Sequence, residues 1–231
     1  MVQENLTNDL KDAVYALLLS PDPRMRELGW LQADAQGMDL APLVSTLKRM
    51  LQLGQFSCSV QEIRPMLDAI LKTSAFRASK THLSQIPEEL AYFQHFKVLE
   101  LDHNRIGELP DFLARYGQLQ ELSLTHNWLT KLPKWISHLS DLRSLWLKDN
   151  FIAALPSSIC KLQQLETLSL SDNVLDRLPD ELTRLSQLER LYLDGNKLKT
   201  LPATIGKLKQ LKSLTLRNNV DIQLPESLAS C

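Results

Sequence analysis

This sequence contains few glycines, few aromatic residues and no excess of either charge. Its 231 residues include 7 Gly and 6% aromatic residues, and 26 Lys and Arg residues balance 27 Asp and Glu for a net charge of -1. So few glycines argue against Gly-rich phosphate-binding loops. The near-neutral balance argues against a strongly basic nucleic-acid surface, so we expect no nucleic-acid partner.

Cysteine is also scarce, and long hydrophobic runs are missing. The three cysteines, Cys58, Cys160 and Cys231, are odd in number and far apart, which suits neither a disulfide framework nor a metal site. We therefore expect reduced thiols in a reducing compartment. The apolar run at residues 13–19 is too short to span a bilayer, and its upstream flank is acidic rather than basic. These features predict a soluble, cytoplasmic protein without a membrane partner, with secretion into a host cell as the alternative.

Sequence motifs of several enzyme classes are missing as well. The chain contains no P-loop pattern G-x-x-x-x-G-K-[ST], no G-x-S-x-G nucleophile turn and no H-E-x-x-H zinc motif. We therefore predict that the protein is not an enzyme and needs no cofactor.

Leucine, by contrast, is abundant, with 49 residues, about one in five. From Phe96 onward the sequence repeats every 23 residues on the template L-x-x-L-x-L-x-x-N-x-L-x-x-L-P-x-x-I-x-x-L-x-x. The six repeats start at Phe96, Leu119, Leu142, Leu165, Leu188 and Leu211. Each has Leu at positions 4 and 6, Asn at position 9 and Pro at position 15. A degenerate repeat precedes them from Thr73, with Thr81 where Asn belongs.

Each part of this template predicts a local structure. The L-x-L step has the period of a short strand with one buried face. One such strand cannot hide its own leucines, so stacked repeats should form a continuous parallel sheet and a continuous core. The Asn column should bond backbone groups at the turn that leaves each strand. Pro at position 15 fixes the backbone before I-x-x-L, which is spaced for one helical turn, and the whole predicts an α/β solenoid.

This pattern is similar to that of the leucine-rich repeat family. The half-repeat L-P-A-T-I-G-K-L at residues 201–208 resembles the 23-residue class of plant intracellular Ras-group and Ras-scaffold repeat proteins and of many bacterial proteins. The resemblance covers about residues 73–231. It implies a horseshoe with a parallel sheet on its concave side, usually a surface that binds proteins, although such a pattern specifies the fold far better than the function.

The first 72 residues lack the 23-residue period and carry apolar residues at helical spacing. Leu6, Leu10 and Val14 begin one apolar face, and Asp22-Pro23 is typical of a helix start. We predict a small all-α domain over residues 1–72, followed by the leucine-rich repeat domain over residues 73–231. The helical domain would cap the core of the first repeat or form a second binding module. The run at residues 20–29 resembles the inter-helix turn of HEAT-type repeats, and a similar segment in bacterial proteins favours a bacterial source.

The last repeat departs from the template. Asp221 replaces the apolar residue of position 11. An open solenoid end exposes core leucines and a strand edge. This repeat therefore acts as its own cap, docks on another surface, or continues in a longer natural chain.

Large aromatic residues stand at positions predicted to face solvent. Alternation places positions 3, 5 and 7 on the outer face of the sheet, with positions 8 and 10 beside them. Strands stack at about 4.8 Å, so Trp128, Trp146 and Phe151 should be neighbours, with Tyr192 two strands from Trp146. The small residues beside them are Ser123, Ser144, Thr167 and Ser169. They should leave room for a partner's side chain; the alternative is that the aromatics pack on each other and cover the sheet.

These positions define a predicted partner-binding site on the concave face. Its members are Glu100, Asp102, Trp128, Trp146, Lys148, Phe151 and Tyr192. Clustered exposed Trp and Tyr are typical of interface hot spots, so the favoured function is a protein-protein interaction scaffold or effector. The alternative is a sensing or regulatory module that binds a small ligand, a glycan or a metal on the same face. A metal could use the row at position 8, which holds His103, His126, Asp149 and Asp172.

Overall fold

A computed structural model of the chain describes Leu18, Arg24, Arg26 and residues 70–230. The helices predicted for the first 72 residues lie outside the described residues, apart from these three and Ile70 and Leu71, which are helical. The all-α domain and its boundary after residue 72 therefore stay predictions.

The described residues divide between two compact units. One unit contains residues 70–74 and 88–95 together with Leu18, Arg24 and Arg26, and the other contains residues 75–87 and 96–230. The second unit carries all of the described strands and the whole of the predicted binding site.

Seven strands of three residues form one parallel sheet in chain order. They are β1 (Ala75–Arg77), β2 (Val98–Glu100), β3 (Glu121–Ser123), β4 (Ser144–Trp146), β5 (Thr167–Ser169), β6 (Arg190–Tyr192) and β7 (Ser213–Thr215). Equivalent repeat positions pair across the sheet, so that Leu122 lies beside Leu145 and Leu145 beside Leu168. The sheet is curved and unclosed, which confirms the predicted horseshoe.

In the second unit, short 3-10 helices follow β2 to β7 on the far side of the core. They are η2 (Asp111–Arg115), η3 (Lys134–His138), η4 (Ser157–Lys161), η5 (Asp180–Arg184), η6 (Ile205–Lys207) and η7 (Glu226–Ser230). The first unit contains the 3-10 helix η1 (Glu88–Tyr92). The position-15 prolines before η2 to η5 have φ between -71° and -67°, the value that the proline ring imposes. The predicted single turn is confirmed, in the tighter 3-10 form, and it buries residues such as Ile136 and Leu139.

The core is filled by the repeating leucines. Leu145 and Leu147, at positions 4 and 6 of one repeat, have no exposed surface, and neither has Leu162 at position 21. In the repeat that starts at Phe96, Tyr116 takes the place of Leu at position 21 and is fully buried. Burial raises the pKa of its hydroxyl above the ordinary value because the charged form is desolvated.

The position-9 asparagines form the predicted hydrogen-bonded spine. Asn150 Nδ2 donates to the carbonyl of Leu124 in the preceding repeat at 2.9 Å, and its Oδ1 accepts from the backbone N–H of Leu129 at 3.0 Å. The equivalent bonds recur in the next three repeats. Asn150 Nδ2 also donates to the Leu147 carbonyl of its own repeat at 3.1 Å, and in the degenerate repeat Thr81 keeps this bond, since its hydroxyl donates to the Ala78 carbonyl at 2.8 Å.

The last repeat is less buried than the others. All three residues of β7 are half-exposed, and Val220 and Leu224 are 70% and 56% exposed. Asp221 adopts a left-handed φ of 61° where the template has a buried apolar residue. The last described repeat is therefore more open to solvent than the repeats before it.

Candidate partner-binding surface

Trp146 and Tyr192 stack on each other across an intervening strand. Their ring centroids are 6.5 Å apart and their planes are 16° from parallel. Ser169 lies between them in register, and two strand spacings of about 4.8 Å separate their backbones, so the rings lean toward each other above the serine. The indole Nε1 of Trp146 also donates to Glu121 Oε1 at 3.2 Å. We call Trp146 and Tyr192 the aromatic pair.

The predicted space above the small residues of the sheet is largely filled. Ser169, Ser123 and Thr167 are only 4%, 6% and 1% exposed. The aromatic pair stands on either side of Ser169, Arg190 Nε donates to the Thr167 hydroxyl at 2.9 Å, and the Ser123 hydroxyl donates to Asp102 Oδ1 at 2.6 Å. The expectation that these three small residues leave room for a partner was wrong, because large or charged neighbours lie close to them.

Trp128 and Phe151 lie at position 10, past the Asn turn, and are open to solvent. They are 54% and 55% exposed. The Trp128 N–H donates to the Ile106 carbonyl at 3.0 Å and the Phe151 N–H to the Leu129 carbonyl at 2.8 Å. This second ladder between repeats places the two side chains next to each other at the strand spacing. Arg105, one repeat earlier, places its guanidinium carbon 5.9 Å from the Trp128 ring centroid, within reach of a cation-π contact.

The aromatic residues therefore form two groups instead of the one cluster that the sequence suggested. In the described part of the chain, the ring contact of Trp146 is with Tyr192. Trp128 and Phe151 share the position-10 ladder along the edge of the sheet. The first group covers the sheet, and the second offers its faces to solvent.

Two charged members of the predicted site form ion pairs with neighbouring repeats. Arg77 Nε donates to Glu100 Oε1 at 2.9 Å, and Lys148 Nζ lies 3.5 Å from Asp172 Oδ2. Both pairs are partly exposed, so each adds about 0–1 kcal/mol to stability. Their side chains can exchange these partners for a bound protein at little cost.

Asp102 has a structural role that the sequence did not reveal. Its Oδ1 accepts hydrogen bonds from the Ser123 hydroxyl at 2.6 Å and from the Thr125 backbone N–H at 2.8 Å. Asp194 makes the same two contacts with the repeat that follows it. Asp at position 7 therefore joins neighbouring repeats just beyond the strand. The only signal in the sequence is its pairing with a hydroxyl residue at position 5 of the next repeat.

Position 8 requires a left-handed backbone. His103, His126, Asp149 and Asp172 all have φ between 54° and 56°, and Gly195 has 66° at the same position. Residues other than glycine, asparagine and aspartate enter this region at a cost of roughly 1 kcal/mol. Sequence reasoning missed this requirement, although the glycine at position 8 of a later repeat is a signal for it.

The row of histidines and aspartates at position 8 is bound together internally. The rings of His103 and His126 stack with centroids 4.3 Å apart, and His126 Nδ1 contacts the carboxylate of Asp149. Within residues 70–230, no group of three or more His, Cys, Asp or Glu side chains is arranged to hold a metal ion.

Charged residues at position 2 pair along the rim of the sheet. Arg143 Nη1 lies 2.6 Å from Glu166 Oε1, and Lys212 Nζ lies 2.7 Å from Glu189 Oε1. The hydrogen bond from Lys212 holds the pKa of Glu189 below its ordinary value.

Among the described residues, no helix combines the length and apolar character that a bilayer crossing needs.

Two family models match the chain. A model of leucine-rich repeat regions matches residues 134–229, and a leucine-rich repeat model matches residues 94–152. Together they extend over residues 94–229, which is more than half of the chain. Among curated proteins, none matches significantly.

Solved structures with the same fold come from bacteria and plants. A leucine-rich repeat protein of Leptospira interrogans has a TM-score of 0.55 at 27% identity, over 74% of this chain and 55% of that one. The ectodomain of the Arabidopsis thaliana receptor kinase GASSHO1/SCHENGEN3, solved in complex with CASPARIAN STRIP INTEGRITY FACTOR 2, has a TM-score of 0.50 at 29% identity, over 62% of this chain and 21% of that one. The plant peptide hormone receptor RGFR1, solved in complex with RGF2, has a TM-score of 0.56 at 23% identity, over 62% of this chain and 24% of that one.

This chain spans about half the length of the Leptospira protein and less than a quarter of the GASSHO1 ectodomain. The 23-residue period, the parallel sheet, the asparagine spine and both family models all indicate the same repeat fold. The chain belongs to the leucine-rich repeat family.

Proposed function

We propose that this chain is a scaffold that binds a partner protein through the concave face of its sheet and the adjoining position-10 edge. The observation that carries the proposal is the exposure of Trp128 and Phe151, each more than half open to solvent. Large aromatic side chains concentrate binding energy at interfaces. The GASSHO1 ectodomain, a leucine-rich repeat structure solved in complex with a protein factor, supports a protein partner for this fold.

The rigidity of the surface supports the same function. The exposed side chains lie on backbone that is hydrogen-bonded to the neighbouring repeats. These bonds come from the pairing of the strands, from the position-10 N–H groups and from the asparagine spine. A preformed surface loses little conformational entropy when it binds.

We propose no catalytic step and no cofactor. We also propose that the protein acts in the cytoplasm or as an effector, which its separated, odd-numbered cysteines support.

Affinity purification with quantitative mass spectrometry tests this function. The bait proteins are the wild-type chain, the double variant Trp128→Ala/Trp146→Ala, and Trp135→Ala as a matched control. Trp135 lies on η3, across the core from the sheet. We expect a stoichiometric partner that the wild type and the control retain and the double variant loses. A partner retained equally by all three baits would place binding elsewhere and reject the proposal.

A further inference from the structure

We propose that the position-10 edge binds an amphipathic α-helix of the partner protein, with carboxylates at both ends of the apolar face of that helix. The edge strip consists of Arg105, Trp128, Phe151, Val174 and Lys197. This inference rests on the proposed function and specifies its surface and the chemistry of its partner.

The edge strip is a regular row that is hydrogen-bonded from repeat to repeat. Each of its five backbone N–H groups donates to a position-11 carbonyl of the preceding repeat, with N···O distances of 2.7 to 3.1 Å. Adjacent residues of the strip are therefore spaced at the strand distance, and four intervals from Arg105 to Lys197 amount to about 19 Å. A helix of about 13 residues has this length.

The strip has an apolar centre and a cation at each end. Trp128 and Phe151 are exposed, and Val174 beside them is half-buried. Arg105 and Lys197 are exposed, and within residues 70–230 neither forms an ion pair with a carboxylate. Arg105 instead lies near the ring of Trp128. Charge complementarity therefore favours a partner that is apolar in the middle and acidic at both ends.

The spacing of the strip matches a helix better than an extended peptide. Trp128 and Val174 are two intervals apart, about 9.6 Å. Apolar residues at i, i+3 and i+7 of a helix span about 10.5 Å, and the next turn at either end places a carboxylate near each cation. Side chains on one face of an extended chain repeat every 6.6–6.8 Å, so three of them span about 13 Å and lose register. Thr130 and Ala153, small and exposed at position 12, leave space for the flank of a helix.

Two synthetic helical peptides test the proposal. Both carry leucines at i, i+3 and i+7; one has Glu a turn beyond each end of this apolar face, and the other has Lys at those positions. Their affinities for the full chain are measured by fluorescence anisotropy. We expect the Glu peptide to bind at least about tenfold more tightly than the Lys peptide. Trp128→Ala and Phe151→Ala should each raise its Kd about tenfold or more.

Charge reversal and a control variant complete the test. The double variant Arg105→Glu/Lys197→Glu should prefer the Lys peptide, whereas Trp135→Ala, on η3 across the core from the sheet, should leave both Kd values within about twofold. Thermal melts check that the variants fold, which the exposure of the substituted edge residues favours. No binding of the Glu peptide, or no reversal of preference, overturns the proposal.

The natural partner separates this inference from the function on which it rests. If purification shows that Trp146→Ala loses the partner while Trp128→Ala and Phe151→Ala retain it, the concave face binds but the edge strip does not. If every one of these variants retains the partner, the proposed function fails as well. Loss of the partner from Trp128→Ala and Phe151→Ala supports both.

Discussion

Replacing Asn150 with alanine removes a side chain that joins two repeats. Asn150 is 4% exposed. It donates to the carbonyls of Leu124 and Leu147 at 2.9 and 3.1 Å and accepts from the Leu129 N–H at 3.0 Å. Alanine offers none of these bonds, and the Leu129 N–H stays buried beneath the turn.

The size of the effect follows from these contacts. A buried hydrogen bond contributes about 1 kcal/mol net, and a buried polar group left without a partner costs about 1–3 kcal/mol. Two lost donor bonds and one orphaned N–H give an expected loss of about 3–5 kcal/mol. Typical domains have a free energy of unfolding of only about 5–15 kcal/mol, so this single change should consume a large share of it.

Asn150→Thr should be less damaging than Asn150→Ala. Thr81 stands at the same position in the degenerate repeat, and its hydroxyl donates to the Ala78 carbonyl at 2.8 Å. A threonine at 150 can keep one donor bond in the same way, so we expect a loss of about 2–4 kcal/mol. Gln164→Ala, which removes an exposed amide from the same repeat, should change stability by less than about 0.5 kcal/mol.

Urea unfolding followed by tryptophan fluorescence and circular dichroism measures these losses. We expect the wild type to be the most stable, Asn150→Thr to be intermediate and Asn150→Ala the least stable, with Gln164→Ala equal to wild type. A loss below about 1 kcal/mol for Asn150→Ala would refute the structural role of the spine.

Three further changes test separate parts of the fold. Leu168→Ala, in the middle of the sheet and fully buried, should lower the free energy of unfolding by about 2–5 kcal/mol in the same urea assay. Gly195→Ala should lower it by about 1–2 kcal/mol, because φ is +66° and the new Cβ would collide with the Asp172 carboxylate; a melting temperature equal to wild type contradicts this. Lys212→Met should raise the pKa of Glu189 toward its ordinary value, measured by NMR titration of the carboxyl carbon. Since the hydrogen bond from Lys212 lowers the folded-state pKa of Glu189, the stabilisation that it gives is present above the ordinary carboxyl pKa and is lost as pH falls through the folded value. In the variant this stabilisation is weakened at the pH values at which Glu189 is ionised.

The sequence predicted the fold well because each repeat follows local rules. The period of two at Leu145 and Leu147 specifies a strand with one buried face, and the six asparagines specify one spine. These features depend on the same residue types recurring at constant spacing, so stacking follows from the pattern alone.

The site was predicted less well because it depends on contacts between different repeats. The stack of Trp146 on Tyr192 requires the curvature of the sheet, which brings together side chains two strands apart. The inward hydrogen bonds of Asp102 depend on a hydroxyl and an N–H in the next repeat. At position 8, histidine and aspartate do not by themselves indicate a left-handed backbone, and the sequence signals for it are Gly195 and Asn218.

Isothermal titration calorimetry measures whether the solvent-exposed aromatic residues on this solenoid bind a protein. The affinity-purified partner is titrated with the wild-type protein and with Trp128→Ala. We expect a Kd at least about tenfold higher for the variant, at an unchanged melting temperature. Equal Kd values for the two proteins would contradict it.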